Sequence, residues 1–442
     1  MRSSVTVTAR ARTQTGTLAP GRRILPLLNF LATATAGLLL SSCAEQGSGT
    51  EAASSSDRGV TYEHTRISSV PWSFHLVKVD RTEPSLSLHS ALARSTVLGL
   101  SGVSEQAMSF PASLGTALAA VNGDFYQREN SPYAGDPRGL QIVEGEVVSA
   151  ATGGNVFWVD ATGEPHASNV ISGFTVTLPD GSALPFGLNE ERSPRGAVLY
   201  TPTLGRATRN HGPGLDLLLE QSGDSPWLPL KVGQIYSAKV REARTTKSTP
   251  LQPGLMLLSL DQTLVGKLPE NPVGVVLKIS TETTPSLKGA LTALGGGPVL
   301  ARRGKALPIK RPENQDLVDY SVNSMFQRHP RAVLGWSDSH FYIGEVDGRQ
   351  RGLSVGMTLD ELGAYMVKAG CDTAMSLDGG GSATFWYKGR VVNSPCDGTE
   401  RPVANSLLVV RNTRPAGSTS PTAAAAGNAN TPPGTNTLQT AP

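Results

Sequence analysis

The sequence predicts an α+β fold in which strand-rich mixed sheets and a few packed helices form a single large domain. Gly and Pro are abundant, at 48 and 31 of 442 residues, and aromatic residues make up only 5%. This composition favours a loop-rich chain with many strands over a helical bundle. Short segments of partial apolar–polar alternation recur along the chain, whereas one segment has a clear helical period.

Residues 1–43 are predicted to be a lipoprotein-type signal peptide that does not belong to the fold. They contain five arginines and no acidic residue, then the apolar run ILPLLNFLATATAGLLL, then SSC. This order is typical of export signals, and the run is short for a membrane-spanning helix. LSSC resembles a bacterial lipobox, so Cys43 is the predicted lipidation site; a plain signal peptide cleaved nearby is the alternative. We therefore expect a membrane-anchored lipoprotein of the cell envelope, periplasmic or at the cell surface.

The composition also predicts where the folded domain begins and ends. Residues 44–58 are small and polar and are predicted to form a flexible tether. Residues 413–442 contain almost no large apolar side chains and are predicted to be disordered. The folded domain is therefore expected over residues 59–412.

The charge balance argues against a nucleic-acid partner. The whole chain has 39 basic and 36 acidic residues, a formal charge of +3. Removing the five leader arginines leaves 34 against 36, a charge of −2, with no basic stripe.

Period-two segments bounded by turn residues predict the strands. They are WSFHLVKV (72–79), LSLHSAL (86–92), ALAAVN (117–122), AVLYTP (197–202), VGVVLKIS (273–280), RAVLGW (331–336), HFYIGEV (340–346), DTAMSL (372–377), ATFWY (383–387), RVVN (390–393) and NSLLVV (405–410). Lys388-Gly389 predicts a hairpin turn. The best helix is MTLDELGAYMVKAG, with a capping box between Thr358 and Glu361 and with Gly370 placed to end it.

The segment MSLDGGGSATF (375–385) delivers Asp378 to the end of a predicted strand, ahead of three glycines. It lacks the Gly-Lys-Ser/Thr ending of a P-loop and the spacing of a dinucleotide fingerprint. A tight turn, a backbone anion-binding nest and part of a catalytic centre remain as interpretations.

Polar residues follow several other predicted strands. Each has a structural alternative, because Asp-Gly and Asn-Gly pairs favour turns and exposed Arg–Asp pairs contribute little. These candidates are Asn122, Asp124, His329, Arg331, Asp347, Arg349, Glu400, Arg401 and Asn405.

The order of these motifs is more specific than any one of them. NGDFY, GGGPVL, RHPRAVLGW, VDGR, TLDELGAYM, LDGGGSAT and ERPVANSLLVV follow one another along residues 114–411. Together they resemble the phosphodiester glycosidase family, most strongly over residues 326–410. One departure is Asp124, which stands where the family commonly has a second glycine; it adds a carboxylate or reshapes a turn.

The resemblance implies hydrolysis of a sugar linked through its anomeric oxygen to a phosphodiester, which releases the sugar and a phosphomonoester. Arginine forks and backbone N–H groups would bind the anion, and carboxylates would activate water and stabilise an oxocarbenium-like centre. The predicted substrate- and phosphate-binding residues are Asn122, His329, Arg331, Arg349, Gly379, Gly380, Gly381, Ser382, Thr384 and Arg401. The predicted catalytic carboxylates are Asp378 first and Asp347 second, then Asp124 and Glu400.

Two other functions fit the same residues: a non-catalytic module that binds sugar-phosphate or envelope glycans, and a phosphodiesterase that cleaves the P–O bond. The sequence requires no cofactor, and its acidic residues allow a divalent cation without a ligand spacing that demands one.

Three cysteines are present, and lipidation of Cys43 would leave two in an exported protein. A disulfide between Cys371 and Cys396 is the simplest hypothesis, and closing this loop would contribute about 3 kcal/mol. Two buried free thiols or a redox pair are the alternatives.

Overall fold

Strands form most of the secondary structure in the computed structural model, which describes residues 50–128, 130–210, 212–245, 248–310 and 320–413. The strands are β1 Thr50–Asp57, β2 Val60–Ile67, β3 Trp72–Asp80, β4 Leu86–Leu92, β5 Gly115–Asn122, β6 Gln141–Val143, β7 Glu146–Ser149, β8 Thr152–Val159, β9 Pro165–Thr177, β10 Ala183–Pro185, β11 Gly187–Leu188, β12 Ala197–Tyr200, β13 Gly214–Gln221, β14 Ile235–Arg244, β15 Met256–Asp261, β16 Val276–Thr284, β17 Thr292–Gly296, β18 Val299–Arg302, β19 Lys305–Ala306, β20 Arg331–Trp336, β21 His340–Val346, β22 Thr373–Ser376, β23 Phe385–Tyr387, β24 Arg390–Val391 and β25 Asn405–Asn412.

The helices are short. They are α1 Val103–Met108, α2 Tyr320–Phe326 and α3 Leu359–Lys368, with 3₁₀ turns at Ala93–Ser95, Pro202–Leu204, Gln262–Lys267 and Gly380–Ser382. The predicted α+β class is therefore confirmed only in part: the fold is strand-rich, as expected, but mostly β. All described residues belong to one compact unit, in agreement with the predicted single domain.

Two sheets pack face to face and support the candidate site. One has eight strands in the order β1-β2-β3-β21-β20-β22-β18-β19, and the other has five in the order β24-β23-β5-β25-β4. The core between them includes Val77, Ile343 and Met375 from the first sheet and Val121 and Leu407 from the second. Each strand contributes alternate side chains to this interface, as the two-residue period of a strand requires.

A third sheet, of twelve strands, has its own apolar core. Its order is β11-β12-β15-β13-β14-β16-β9-β8-β17-β6-β7, with β10 paired to β9. Strand β17 brings Gly296 to the edge of the cavity described below.

Helix α3 covers the outer face of the eight-stranded sheet and begins as its sequence predicts. Thr358 Oγ1 accepts the Glu361 N–H at 3.2 Å, and the Glu361 carboxylate accepts the Thr358 N–H at 2.9 Å. This capping box satisfies N–H groups that have no partner within the helix. Leu362 and Met366 are buried against the sheet, and Gly370 follows the helix with φ +106°.

The N-terminal boundary differs from the prediction. Residues 50–57, assigned to a flexible tether, form β1 and pair antiparallel with β2. All eight are exposed, so backbone pairing rather than apolar burial defines this edge strand, and composition could not indicate it. The signal peptide with Cys43, tether residues 44–49 and tail residues 414–442 lie outside the described residues. Within the described ranges, no helix has the length and apolar character needed to cross a bilayer.

Candidate active site

A cavity of about 700 Å³ opens where several strand ends meet. Strand β5 ends at Asn122, and β22 ends two residues before Asp378. The two ends are joined, because the Asn122 side-chain amide donates to the Asp378 carbonyl at 2.7 Å and the Asp378 N–H donates to the Gly123 carbonyl at 2.9 Å. The strand termini predicted from sequence therefore converge at one site.

Asp378 lines this cavity and is partly exposed to it. Its carboxylate accepts the Gly379 N–H at 2.8 Å and is also hydrogen bonded by the Ser382 hydroxyl. Desolvation raises the pKa of Asp378. The two hydrogen bonds lower it in part, and the positive charges of Arg401 and Arg128 lower it further. The predicted first-choice carboxylate is thus held in a fixed orientation beside positive charge.

The glycine segment does not offer its first two N–H groups as an anion nest. The Gly379 N–H donates to Asp378, and the Gly380 N–H donates to the Pro330 carbonyl at 2.9 Å. The nest interpretation is therefore wrong for these two groups.

The structure gives the three glycines a steric reason instead. A Cβ on Gly379 would lie 2.7 Å from the Pro330 carbonyl oxygen, and a Cβ on Gly381 would overlap the Arg401 guanidinium. Gly380 has φ +64°, a conformation that L-residues rarely adopt. Because these glycines have no side chains, the backbone at Pro330 and the Arg401 guanidinium can approach the floor of the cavity.

Asp124, the departure from the family pattern, is a second carboxylate of the cavity. Its side chain is almost fully buried and accepts the N–H groups of Phe125 and Gly139, both at 2.7 Å. Burial raises the pKa of Asp124 to about 7, and the nearby charge of Asp378 adds to this rise. A Cβ on Gly139 would lie 2.8 Å from the carboxylate, so the missing side chain makes room for Asp124.

The three predicted arginines converge on the same cavity. Arg331 is buried, and its guanidinium donates to the carbonyls of Met357 and Gln327 at 3.1 and 2.9 Å. Arg349 is exposed, whereas Arg401 is partly buried and pairs with the exposed Asp397 at 2.5 Å. These cations reach the site from three separate parts of the chain.

His329 also lines the cavity, as predicted. Burial, together with the charges of Arg349 and Arg331, lowers its pKa to about 4, so the ring is neutral near pH 7. Arg349 Nε donates to His329 Nδ1 at 3.2 Å, which assigns the ring proton to Nε2. That buried Nε2 has no hydrogen-bond partner among the described residues.

Asn122, Ser382 and Thr384 brace the glycine segment. Asn122 is buried and accepts the Thr384 N–H at 3.1 Å, besides holding the Asp378 carbonyl. Ser382 lines the cavity, but Thr384 is fully buried and is not among the lining residues. Asn122 and Thr384 therefore position the site rather than face it.

Two predicted carboxylates lie elsewhere. Glu400 accepts the Ser104 N–H at 2.8 Å and its hydroxyl at 2.5 Å, at the start of α1. Asp347 is fully buried and accepts the Ser394 N–H at 2.6 Å. Neither is among the residues that line the cavity. Glu400 caps a helix, and Asp347 belongs to a separate cluster described below.

The predicted Cys371–Cys396 disulfide is not formed, because both thiols are free. Cys371 is buried just before β22, whereas Cys396 lies near Arg349 and Asp397, beyond the other end of that strand. The two thiols therefore lie toward opposite ends of β22.

Sequence reasoning missed two exposed arginines at the cavity, Arg128 and Arg138. Their charges lower the pKa values of Asp378 and Asp124 respectively. Both follow the NGDFY motif within 16 residues. Their proximity to that motif was the one available signal, but an isolated arginine in a loop is usually a surface residue.

Comparisons with known proteins agree with this fold and with the predicted family resemblance. Residues 240–410 match the family model described as phosphodiester glycosidase. The SPbeta prophage-derived protein YomE of Bacillus subtilis is 37% identical over 83 residues, 19% of this chain and 13% of that protein.

Two crystal structures share the fold. One, of a Synechocystis protein, has a TM-score of 0.63 at 18% identity and covers 80% of this chain and 62% of its own. The other, of a Burkholderia pseudomallei protein, has a TM-score of 0.59 at 21% identity and covers 79% and 77%. The match thus spans less than two thirds of the Synechocystis chain and a small part of YomE. The predicted family resemblance is confirmed over residues 240–410, the part of the chain that matches the phosphodiester glycosidase family model.

Proposed function

We propose that the protein is an exported hydrolase that cleaves sugar-1-phosphodiester linkages, releasing the sugar and a phosphomonoester. The observation that supports this most directly is one cavity in which two carboxylates, Asp378 and Asp124, face five arginines. A phosphodiester carries one negative charge and needs cationic donors. Glycoside cleavage needs carboxylates beside the anomeric carbon. The cavity supplies both kinds of group.

The arginines would bind the phosphate and stabilise it as it departs. Arg331 is buried, and backbone carbonyls fix its orientation, so little side-chain entropy remains to be lost on binding. His329 would line the site as a neutral ring beside these arginines. Preorganised donors of this kind favour the transition state when charge develops on the leaving group.

The two carboxylates would have different roles. Asp378 is the more accessible and has arginine charges nearby, so it is the better candidate for the group that activates water or attacks the anomeric carbon. Asp124 has both oxygens held by backbone N–H groups and a pKa near 7. It would orient the site and set the local charge. A phosphate leaving group is already acidic and needs little protonation.

Product analysis tests this proposal. Wild type and Asp378→Asn would be assayed on a panel of sugar-1-phosphodiesters that begins with N-acetylglucosamine 1-phosphodiesters. We expect turnover by wild type and a loss of 10²–10⁴-fold in kcat/KM for the variant, with ligand binding retained. Asp338→Asn, at an exposed position, is the matched control and should keep full activity.

The other functions are outcomes of the same assay. Binding without turnover by wild type across the panel would favour a glycan-binding module. Hydrolysis in ¹⁸O-water separates the two cleavage sites: label in the released sugar supports C–O cleavage. Label in the phosphate would refute glycosidase chemistry and indicate P–O cleavage.

The location of the substrate follows from the predicted leader. If Cys43 is lipidated, the enzyme works at a membrane surface on envelope or environmental glycans. Radiolabelled palmitate should be incorporated into the chain in its native host and not into Cys43→Ser. Equal labelling of both chains would refute the anchor but leave the hydrolase proposal intact.

A further inference from the structure

A buried polar cluster lies between the eight- and five-stranded sheets, outside the lining of the cavity. His75 on β3 is directly opposite Glu345 on β21 in the strand register. Asp347 follows two residues later, and alternation along a strand places it on the same side. The three side chains are at most 2% exposed, and one ligand atom from each lies within 4.8 Å of the others.

Glu345 is the unusual member of this cluster. Both carboxylate oxygens are buried, and neither has a hydrogen-bond partner among the described residues. The Asn393 side chain lies close enough to Glu345 to lower its pKa as a hydrogen-bond donor would, but no atom of Asn393 meets hydrogen-bond geometry with either carboxylate oxygen. Buried polar side chains are nearly always satisfied, so an orphaned carboxyl group needs a specific explanation.

The other two members already have the spacing of metal ligands. His75 Nε2 and Asp347 Oδ2 are 3.4 Å apart. Two ligands bound tetrahedrally at ~2.0–2.1 Å lie roughly 3.3 Å from each other. The same distance is long for a direct hydrogen bond between imidazole and carboxylate.

The other polar atoms of His75 and Asp347 are hydrogen bonded, as is usual for metal-binding side chains. His75 Nδ1 is 2.8 Å from the Tyr62 hydroxyl, which can accept an Nδ1 proton and leave Nε2 free to coordinate. Asp347 Oδ1 accepts the Ser394 N–H at 2.6 Å, which directs Oδ2 toward the cluster. Such outer contacts fix the tautomer and the orientation of ligating side chains.

We infer that His75, Glu345 and Asp347 bind one divalent metal ion of the Zn²⁺ class. One imidazole nitrogen and two carboxylate oxygens are a donor set that Zn²⁺ accepts. The ion would neutralise two carboxylates that the fold otherwise buries together, and it would give Glu345 the partner it lacks. The inference does not depend on the proposed hydrolase function.

A metal ion would enter from the side of β2, where the His64 ring covers the cluster. The His64 ring stacks on His75 with centroids 4.1 Å apart, and His64 also lines a surface depression together with Glu51 and Arg66. Rotation of this partly exposed ring would open the cluster to solvent from that depression.

Metal titration of the full chain tests the inference. After treatment with a chelator and desalting, the protein would be titrated with Zn²⁺ alone, with bound metal measured by elemental analysis and thermal unfolding recorded with and without Zn²⁺. We expect one tightly bound equivalent and a rise in Tm. In Glu345→Gln the affinity should fall roughly 100-fold or more, and Zn²⁺ should no longer raise Tm.

His166→Asn is the matched control, because it removes a partly exposed histidine that lies 2.8 Å from Asp160 and far from the cluster in sequence. It should keep the tight site. If Glu345→Gln fails to fold, Co²⁺ added to the wild type provides a second measurement, since a nitrogen–oxygen site of this kind gives a tetrahedral absorption spectrum. Absence of tight binding by the wild type, or wild-type affinity in Glu345→Gln, would overturn the inference and leave Glu345 as a protonated buried acid.

Discussion

Replacing Asp124 with asparagine should change how the stability of the fold depends on pH. Burial raises the pKa of Asp124 from 3.8 to about 7. The folded state therefore binds this proton more tightly than the unfolded state, and ionisation works against folding. The stability associated with the neutral carboxyl is fully present below about pH 4 and is lost as the pH rises to about 7.

The expected size follows from those two pKa values. Between pH 5 and pH 8 the linkage relation gives a loss of about 2–3 kcal/mol in the free energy of unfolding from this one group. Asparagine does not titrate, so the variant should lack this component. Its amide group would meet the Gly139 N–H that Asp124 now accepts, which costs about 1–3 kcal/mol. That cost is independent of pH and cancels when the two pH values are compared.

Denaturant unfolding of wild type and Asp124→Asn at pH 5 and pH 8 measures the effect. The wild type should lose about 2–3 kcal/mol more than the variant over this interval. Asp338→Asn, which removes an exposed carboxylate, should follow the wild type. Parallel pH profiles for wild type and Asp124→Asn would refute the argument, since they would mean that Asp124 is already ionised at pH 5.

Two further changes test the glycine segment and the cysteines. Gly381→Ala should lower kcat/KM roughly 10–100-fold, because the added Cβ would displace the Arg401 guanidinium. Gly266→Ala is the control, since a Cβ there would enter open space. Equal activity of the two variants would contradict the steric argument. In a Cys43→Ser chain, thiol titration under denaturing, non-reducing conditions should find two free thiols, those of Cys371 and Cys396. A titration that finds no free thiol would show that the two cysteines form a disulfide.

Local signals account for what could be predicted from the sequence. The capping box of Thr358 and Glu361 forms as expected, because it involves neighbours in the chain. Strand β5 ends at Asn122 as expected, since a Gly turn follows. Lys388 and Gly389 both have positive φ and connect β23 to β24, as a two-residue hairpin turn requires.

Contacts between distant segments account for what could not be predicted. Glu400 contacts Ser104 across 296 positions, and no local pattern distinguishes a capping carboxylate from a catalytic one. Cys371 and Cys396 lie on either side of a strand, although their separation in sequence suits a disulfide loop. The pairing of His75 with Glu345 depends on the register of β3 and β21, which neither strand encodes alone.

The role of the glycine segment illustrates the same limit and has a mechanistic consequence. Gly379 and Gly380 use their N–H groups within the protein, so the positive charge at the cavity comes from arginine side chains of other segments. Arginines hold a phosphate through directed, planar donors, which a lysine cannot replace. Backbone N–H groups would tolerate many anions, whereas arginines fixed by carbonyls and by Asp397 impose one geometry. Under the proposed function, the glycine segment would therefore influence substrate recognition indirectly, by the space that Gly381 leaves for the Arg401 guanidinium.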